Sequence, residues 1–281
     1  MKLKDFIEKT SSALGNLYPD REARNIVHIL IRERLVIDSW QIPLKYDDIV
    51  DENFLLSDVH RLIVGEPLQY VLGYADFYGR RFNVNSDVLI PRPETELLVE
   101  WALGRDISSK GKVLDLCTGS GAIAWTIAAE RQRWSVMGVD ISEDALSVAE
   151  SQLIQCANPP KFVRGDVLDE AFLRTLGCFD MLVSNPPYIM ESEKADMRRN
   201  VIDFEPGLAL FVPDVDALVF YKAIATACAV LLKKGGVGIV ECNEKLSYET
   251  ASVFEQEGLV DVRIIKDLAG KDRFVSFSNL N

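Results

Sequence analysis

Strand-like and helix-like stretches alternate from residue 86 to the C-terminus, and that alternation most limits what this chain can fold into. The runs KVLDL (112–116), WSVMGVD (134–140), KFVRGD (161–166), FDMLVSN (179–185), VGIVEC (237–242), VDVRIIKDL (260–268) and RFVSFSN (273–279) read as strands. Among them lie GAIAWTIAAE (121–130), EDALSVAESQLIQ (143–155), DALVFYKAIATACAVLLKK (216–234) and SYETASVFEQEG (247–258), whose apolar residues recur at helical spacing. A helix between two strands carries the chain back across the sheet, so the second strand pairs parallel to the first. The prediction is a doubly wound, mostly parallel seven-stranded α/β sheet with helices on both faces. The last two strands are too close together for a crossover and predict an antiparallel edge. Gly235-Gly236 is expected to stop the long helix.

Residues 1–75 follow another pattern. Leu3, Phe6, Ile7, Ala13 and Leu14 share one stripe; Ala23, Ile26, Val27, Leu30 and Ile31 a second; Leu55, Leu56, Val59, Leu62 and Ile63 a third. They predict a helical bundle suited to docking rather than chemistry. Residues 76–86 predict a hairpin linker, and residues 87–281 the α/β domain.

Net charge is −12, which argues against stable binding to a nucleic-acid backbone. No apolar run approaches the ~18–20 residues that cross a bilayer. The start, MKLKDFIEKTSSALG, lacks a secretory signal's apolar stretch. The expectation is a cytoplasmic monomer that engages no membrane. Five cysteines, an odd number without ligand spacing, predict reduced and mostly buried thiols rather than disulfides or a metal site. The two histidines, His28 and His60, lie in the helical region, away from any candidate site.

Chemistry begins at VLDLCTGSGAIA (113–124), where a strand runs into a glycine-bearing turn that opens a helix. Gly119 and Gly121 let backbone approach a ligand closely. Ala124 satisfies the relaxed dinucleotide fingerprint, so the turn by itself allows a nicotinamide cofactor. Asp140 ends the next strand, 19 residues after Gly121, where a carboxylate can accept both ribose hydroxyls. Asp115, just before the turn, would repel a pyrophosphate but suit a cationic ligand. S-adenosylmethionine carries a sulfonium and an ammonium, and this set of residues favours it over NAD. Asp166 lies where an adenine amino group would reach, or else caps the next segment.

The fourth strand ends in VSNPPYIM (183–190). Ligands of an open parallel sheet bind beyond the carboxyl ends of its strands, so this corner should face the same crevice. Two prolines remove two N–H donors. What remains is a pair of acceptors, the Asn185 side-chain oxygen and the Pro186 carbonyl, suited to gripping an NH₂ group. Tyr188 offers a flat wall to a planar partner.

This combination resembles the S-adenosylmethionine-dependent methyltransferases that modify planar amide or amino nitrogens, and most closely the release factor glutamine methyltransferase family. The likeness covers nearly the whole chain, through EPLQYVLGYADFYGRRFNVNSDVLIPRPETELLVE (66–100), IDFEPGLALF (202–211) and DLAGKDRFV (267–275). It implies the Rossmann-like methyltransferase fold and methylation of the glutamine amide in the Gly-Gly-Gln loop of peptide chain release factors. By position it implies Cys117, Thr118, Gly119, Ser120 and Gly121 around the methionine part of the cofactor. Asp140 would hold the ribose, with Asp166 and Val167 beside the adenine. Asn185, Pro186 and Tyr188 would form the catalytic corner, with Asn185 touching the cofactor as well; Pro187 would join them around the glutamine, and Phe77, Arg92 and Glu94 would cover the crevice. Cys117 stands where the family usually has glycine, and Gln152 where it has asparagine. Two other classes fit parts of the pattern: a nucleic-acid amino-group methyltransferase, with Tyr188 stacking on a flipped base, and a non-catalytic cofactor-binding partner subunit.

Overall fold

The protein is described by a computed structural model over residues 1–107 and 109–280. Its residues form two compact units, Met1–Tyr74 with Arg198–Phe204, and Ala75–Met197 with Glu205–Asn281.

The first unit is helical, with α1 (Leu3–Leu14), α2 (Asp20–Leu35), α3 (Glu52–Ile63) and α4 (Leu68–Leu72). The stripes of α1 and α2 are buried except at Ala13, which is exposed: Leu3, Phe6, Ile7 and Leu14 pack with Ala23, Ile26, Val27, Leu30 and Ile31. The third stripe is only partly a core: Leu55 and Leu62 are buried, whereas Leu56 and Ile63 are exposed. The sequence reading placed 198–204 in the α/β domain; in the structure this segment belongs to the helical unit, where Arg198 pairs with Glu22.

The second unit opens with a hairpin, β1 (Tyr74–Phe77) and β2 (Arg80–Asn83). Its two turn residues, Tyr78 and Gly79, both have positive φ, the primed-turn geometry that matches the twist of paired strands. Then come α5 (Thr95–Leu103), β3 (Lys112–Leu116), α6 (Ala122–Glu130), β4 (Ser135–Asp140), α7 (Glu143–Glu150), β5 (Lys161–Arg164), α8 (Glu170–Leu173) and β6 (Phe179–Ser184). A two-stranded pairing of β7 (Ile189–Met190) with β8 (Phe211–Val212) is interrupted by α9 (Arg199–Phe204) and α10 (Gly207–Leu210). The chain ends with α11 (Val219–Leu231), β9 (Leu232–Glu241), α12 (Ser247–Gln256), β10 (Val260–Lys266) and β11 (Asp272–Ser278).

The seven-stranded sheet has the order β10-β11-β9-β6-β3-β4-β5, with only β11 and its neighbours antiparallel. β3 pairs parallel with β4 on one side and β6 on the other. It is therefore the switch point, where the chain leaves one half of the sheet for the other and a crevice opens above the strand ends. One face packs Tyr221, Phe254 and Phe277, with Phe254 and Phe277 stacked 4.2 Å apart. The other packs α6, whose Ala122–Ala128 stretch is buried throughout, as a sheet covered on both faces requires.

Two expectations of local structure fail for tertiary reasons. The helix expected over 143–155 stops at Glu150, because Gln152 is drawn into cross-links with Asn83 and Ser120. Gly235-Gly236 does not end a helix; both lie inside β9, in a register shift where Gly235 N–H donates to Asn279 and Asn279 N–H to Gly236. The pair makes a bulge that Asn279 satisfies from the neighbouring chain end. Of the cysteines, which are all free thiols, Cys228 and Cys242 are buried and Cys178 is exposed, so the expected burial holds only in part. Among the described residues no cluster could hold a metal ion, and no helix is long and apolar enough to cross a membrane.

Candidate functional site

A cavity opens beyond the carboxyl ends of β3, β4, β5 and β6, and its wall brings together residues scattered from 77 to 220 in sequence. The turn after β3 supplies Cys117, Thr118, Gly119 and Ser120 to that wall. Cys117, Gly119 and Gly121 all have positive φ, so the backbone coils tightly between strand and helix. Gly121 is the left-handed residue on which α6 begins and does not itself line the cavity.

Asp140 is set by this turn. Its Oδ2 accepts from Gly119 N–H at 2.8 Å and its Oδ1 from Ser142 N–H at 3.0 Å. Burial pushes its carboxyl above the ordinary range, while these backbone donors oppose the shift. A carboxylate held at both oxygens keeps further lone pairs for two hydroxyls of a ligand. Asp166 and Val167 line the same wall, Asp166 accepting from Leu168 N–H at 2.8 Å.

Asp115 corrects the expectation of a ligand contact. It is completely buried and is not a wall residue; its Oδ2 accepts from Thr118 Oγ1 at 2.6 Å. Burial raises its carboxyl to about 7, helped by the nearby Asp140 charge. Asp115 thus braces the turn from beneath. Gln152 braces it from the side, exchanging two hydrogen bonds with the Asn83 backbone and donating to the Ser120 carbonyl at 3.1 Å.

The proline corner after β6 lies on this same cavity through Asn185 and Pro187. Asn185 Nδ2 donates to Thr95 Oγ1 at 3.2 Å, and Thr95 Oγ1 donates to Glu241 Oε2 at 2.7 Å. Among the described residues neither Asn185 Oδ1 nor the Pro186 carbonyl accepts a hydrogen bond from the protein. Both oxygens are therefore uncommitted within the protein, and Asn185 brings its own to the cavity wall. Tyr188 does not line the cavity and provides no flat wall there: its hydroxyl turns inward to donate to Glu241 Oε1 at 3.1 Å. Burial and the Glu241 charge raise its phenol well above the usual range, so Tyr188 is no base. Pro186 is buried and likewise off the wall.

Phe77 and Arg92 cover the cavity, Phe77 packed edge-on against Phe82; Glu94 lies off the wall. The Arg92 guanidinium pairs with the wholly buried carboxylate of Glu205 at 2.7 Å, and the other Glu205 oxygen accepts from Ile90 N–H at 3.2 Å. Glu205 ties residues 90–92 in place. The sequence singles out neither Glu205 nor Glu241, and marks Thr95 only as part of the 92–96 segment expected over the crevice; no motif spacing links them to the groups they support.

The family profile described as Methyltransferase small domain matches residues 93–204. A solved methyltransferase from Pyrococcus furiosus shares the fold, with TM-score 0.51 and 16% identity over 78% of this chain and 96% of that one. Three curated relatives are each described as release factor glutamine methyltransferase. One from Bacteroides thetaiotaomicron is 38% identical, covering 94% of this chain and 95% of its own length. One from Flavobacterium psychrophilum is 33% identical over 98% of both chains. One from Lactococcus lactis is 41% identical over 85% of this chain and 87% of its own. With identity of this order sustained from end to end, on top of a switch-point crevice shared by a glycine turn and a donor-free proline corner, the chain belongs to the release factor glutamine methyltransferase family.

Proposed function

We propose that this protein transfers a methyl group from S-adenosylmethionine to the side-chain amide nitrogen of the glutamine in the Gly-Gly-Gln loop of peptide chain release factors. The observation that carries this reading is the pair of unengaged acceptors, Asn185 Oδ1 and the Pro186 carbonyl, beside the cavity that the glycine turn lines.

The residues present suit the cofactor. Asp140 offers spare lone pairs to ribose hydroxyls, and Asp166 and Val167 border a place for adenine. When bound, S-adenosylmethionine supplies a methyl group made electrophilic by its positively charged sulfur. The chain's own contribution is alignment and charge. Two fixed acceptors take the two amide hydrogens and turn the nitrogen's remaining face toward the cofactor side of the cavity. An amide nitrogen is a weak nucleophile because its lone pair is delocalised. Acceptors that strengthen as positive charge grows on nitrogen offset this, an oxyanion hole with the sign reversed. Orientation alone can lower the barrier by up to ~7–11 kcal/mol. No strong base is required, and the spare proton leaves to solvent. The helical unit would grip the release factor, and the enzyme would work as a cytoplasmic monomer without nucleic acid.

Mass spectrometry of purified release factor after incubation with enzyme and S-adenosylmethionine tests this. The expected result is the mass gain of one methylene on the glutamine-bearing peptide, much slowed when Asn185→Ala replaces the wild type. No gain with the wild type, or undiminished turnover with Asn185→Ala, refutes the reading.

A further inference from the structure

The value of Asn185 depends on which end of its amide faces the substrate. A carboxamide's oxygen accepts and its nitrogen donates, yet the two ends are nearly the same size, so shape alone does not choose between them. Three buried groups choose here. Thr95 Oγ1 lies 3.2 Å from Asn185 Nδ2 and 2.7 Å from Glu241 Oε2. Burial disfavours the charge on Glu241, but the Thr95 and Tyr188 hydroxyls, one on each oxygen, and the Arg273 charge favour it; a threonine hydroxyl has one proton, and an ionised carboxylate can only accept, so that proton goes to Glu241. Thr95 is left with lone pairs, which only the NH₂ end of Asn185 can use. Glu241 is held from its other side by the Tyr188 hydroxyl at 3.1 Å. Thr95 and Glu241 are 4% and 2% exposed, so water does not compete for these bonds. Thr95 opens α5 and Glu241 closes β9, so both ends of the chain of bonds are fixed in regular structure.

We infer that Thr95, its proton committed to Glu241, is a positioning residue that holds the Asn185 amide with its nitrogen inward and its oxygen free for the substrate. The inference rests on the reading of Asn185 as the acceptor for the substrate amide. With the amide turned over, Asn185 would present hydrogens to the hydrogens of an incoming glutamine NH₂, donor against donor.

Thr95→Val removes the hydroxyl with little change of shape, and Thr95→Ser keeps it. Thr95→Val is expected to lower kcat roughly tenfold to thirtyfold, the scale of one hydrogen bond plus lost alignment. Calorimetry should find the S-adenosylmethionine Kd within about twofold of wild type, since Asp140 and the glycine turn are untouched. Thr95→Ser should restore most of the turnover. In an Asn185→Ala background, followed in long incubations, adding Thr95→Val should cost nothing further. A Thr95→Val enzyme with full kcat, an undiminished loss in the Asn185→Ala background, or failure of Thr95→Ser to restore turnover would overturn the inference. Should Thr95→Val not fold, Glu241→Gln decides. A glutamine there can equally give its oxygen to the Tyr188 hydroxyl and its NH₂ to Thr95, whose proton then turns to Asn185, so kcat should fall severalfold at unchanged cofactor Kd; full kcat overturns the inference. Undiminished kcat in Asn185→Ala would refute the acceptor reading itself. Inactive Asn185→Ala beside fully active Thr95→Val refutes only the role of Thr95.

Discussion

The glycine turn after β3 and the proline corner after β6 end adjacent parallel strands and face one cavity, yet they are built by opposite means. In the turn, positive φ at Cys117, Gly119 and Gly121 lets backbone N–H groups converge, and one of them anchors Asp140. In the corner, two prolines strip N–H groups away and leave acceptors. The turn takes its path from its own backbone, with Asp115, Asp140 and Gln152 bracing it. The corner draws its order from Thr95 and Glu241, 90 positions before Asn185 and more than 50 after it. A motif that solves its geometry locally can be read from a short string, whereas one that borrows its geometry from elsewhere shows only its exposed chemistry.

The sharpest way to break this contrast is to compare a substitution at each end. Asn185→Ala is expected to lower kcat by roughly 10²–10³, the range found when a preorganised charge-stabilising group is removed. Its effect on the S-adenosylmethionine Kd should be modest. Asp140→Ala should do the reverse, raising that Kd by roughly 10², as the loss of hydrogen bonds to a charged group implies, with less change in kcat at saturation. Single-turnover rates and calorimetric affinities on both variants check this. Matching signatures from the two would mean that the cavity is not divided between cofactor and substrate.

The turn itself is tested by Gly138→Ala. A Cβ at Gly138 would sit 2.6 Å from the Phe162 ring and 2.8 Å from Thr118 Oγ1, the hydroxyl that bonds Asp115. Overpacking of this kind costs typically ~1–3 kcal/mol, read as a lowered urea midpoint, with weaker cofactor binding alongside. A loss of stability with affinity unchanged would show that Thr118 is not part of what holds the turn.

A smaller effect, graded by pH, comes from Asp115. Its carboxyl is raised from the ordinary 3.8 to about 7, first because burial disfavours the charge. Between those values the folded protein keeps a proton that the unfolded chain has lost. Stability contributed by this group is therefore full below the lower value and declines as pH rises, levelling off above the higher one. The slope is at most ~1.4 kcal/mol per pH unit. Asp115→Asn should flatten it, so that variant and wild type diverge across this window in melts taken at successive pH values. Parallel curves would place the titration elsewhere.

The smallest effect belongs to Cys117→Gly. Cys117 holds φ at +59°, which costs a side chain of this kind of order 1 kcal/mol, whereas glycine adopts it freely and loses more entropy on folding. The two partly cancel, and denaturant midpoints should move by less than ~1 kcal/mol. A larger loss would mean that the thiol's packing carries the turn.

What could be read from the sequence tracks how far each signal had to travel. The glycine turn, the strand-end carboxylate of Asp140 and the alternation that builds the sheet were legible because β and helical periodicities and a left-handed turn are short-range requirements. Gly235-Gly236 misled because the same dipeptide that ends helices also relaxes a strand, and the choice was made by Asn279. Gln152 ended α7 early for the sake of bonds to residues 83 and 120. Asp115 looked like a ligand group because its place in the string is beside the turn, while its place in space is under it.

The sequence alone determined the parallel α/β frame, the crevice at its switch point and the acceptor chemistry of Asn185 and Pro186, since each follows from local backbone rules. Only the tertiary structure decided which oxygens stay open to a ligand. That depends on where buried donors find partners, and Thr95, Glu241 and Tyr188 satisfy one another across three separate segments so that Asn185 Oδ1 is left free.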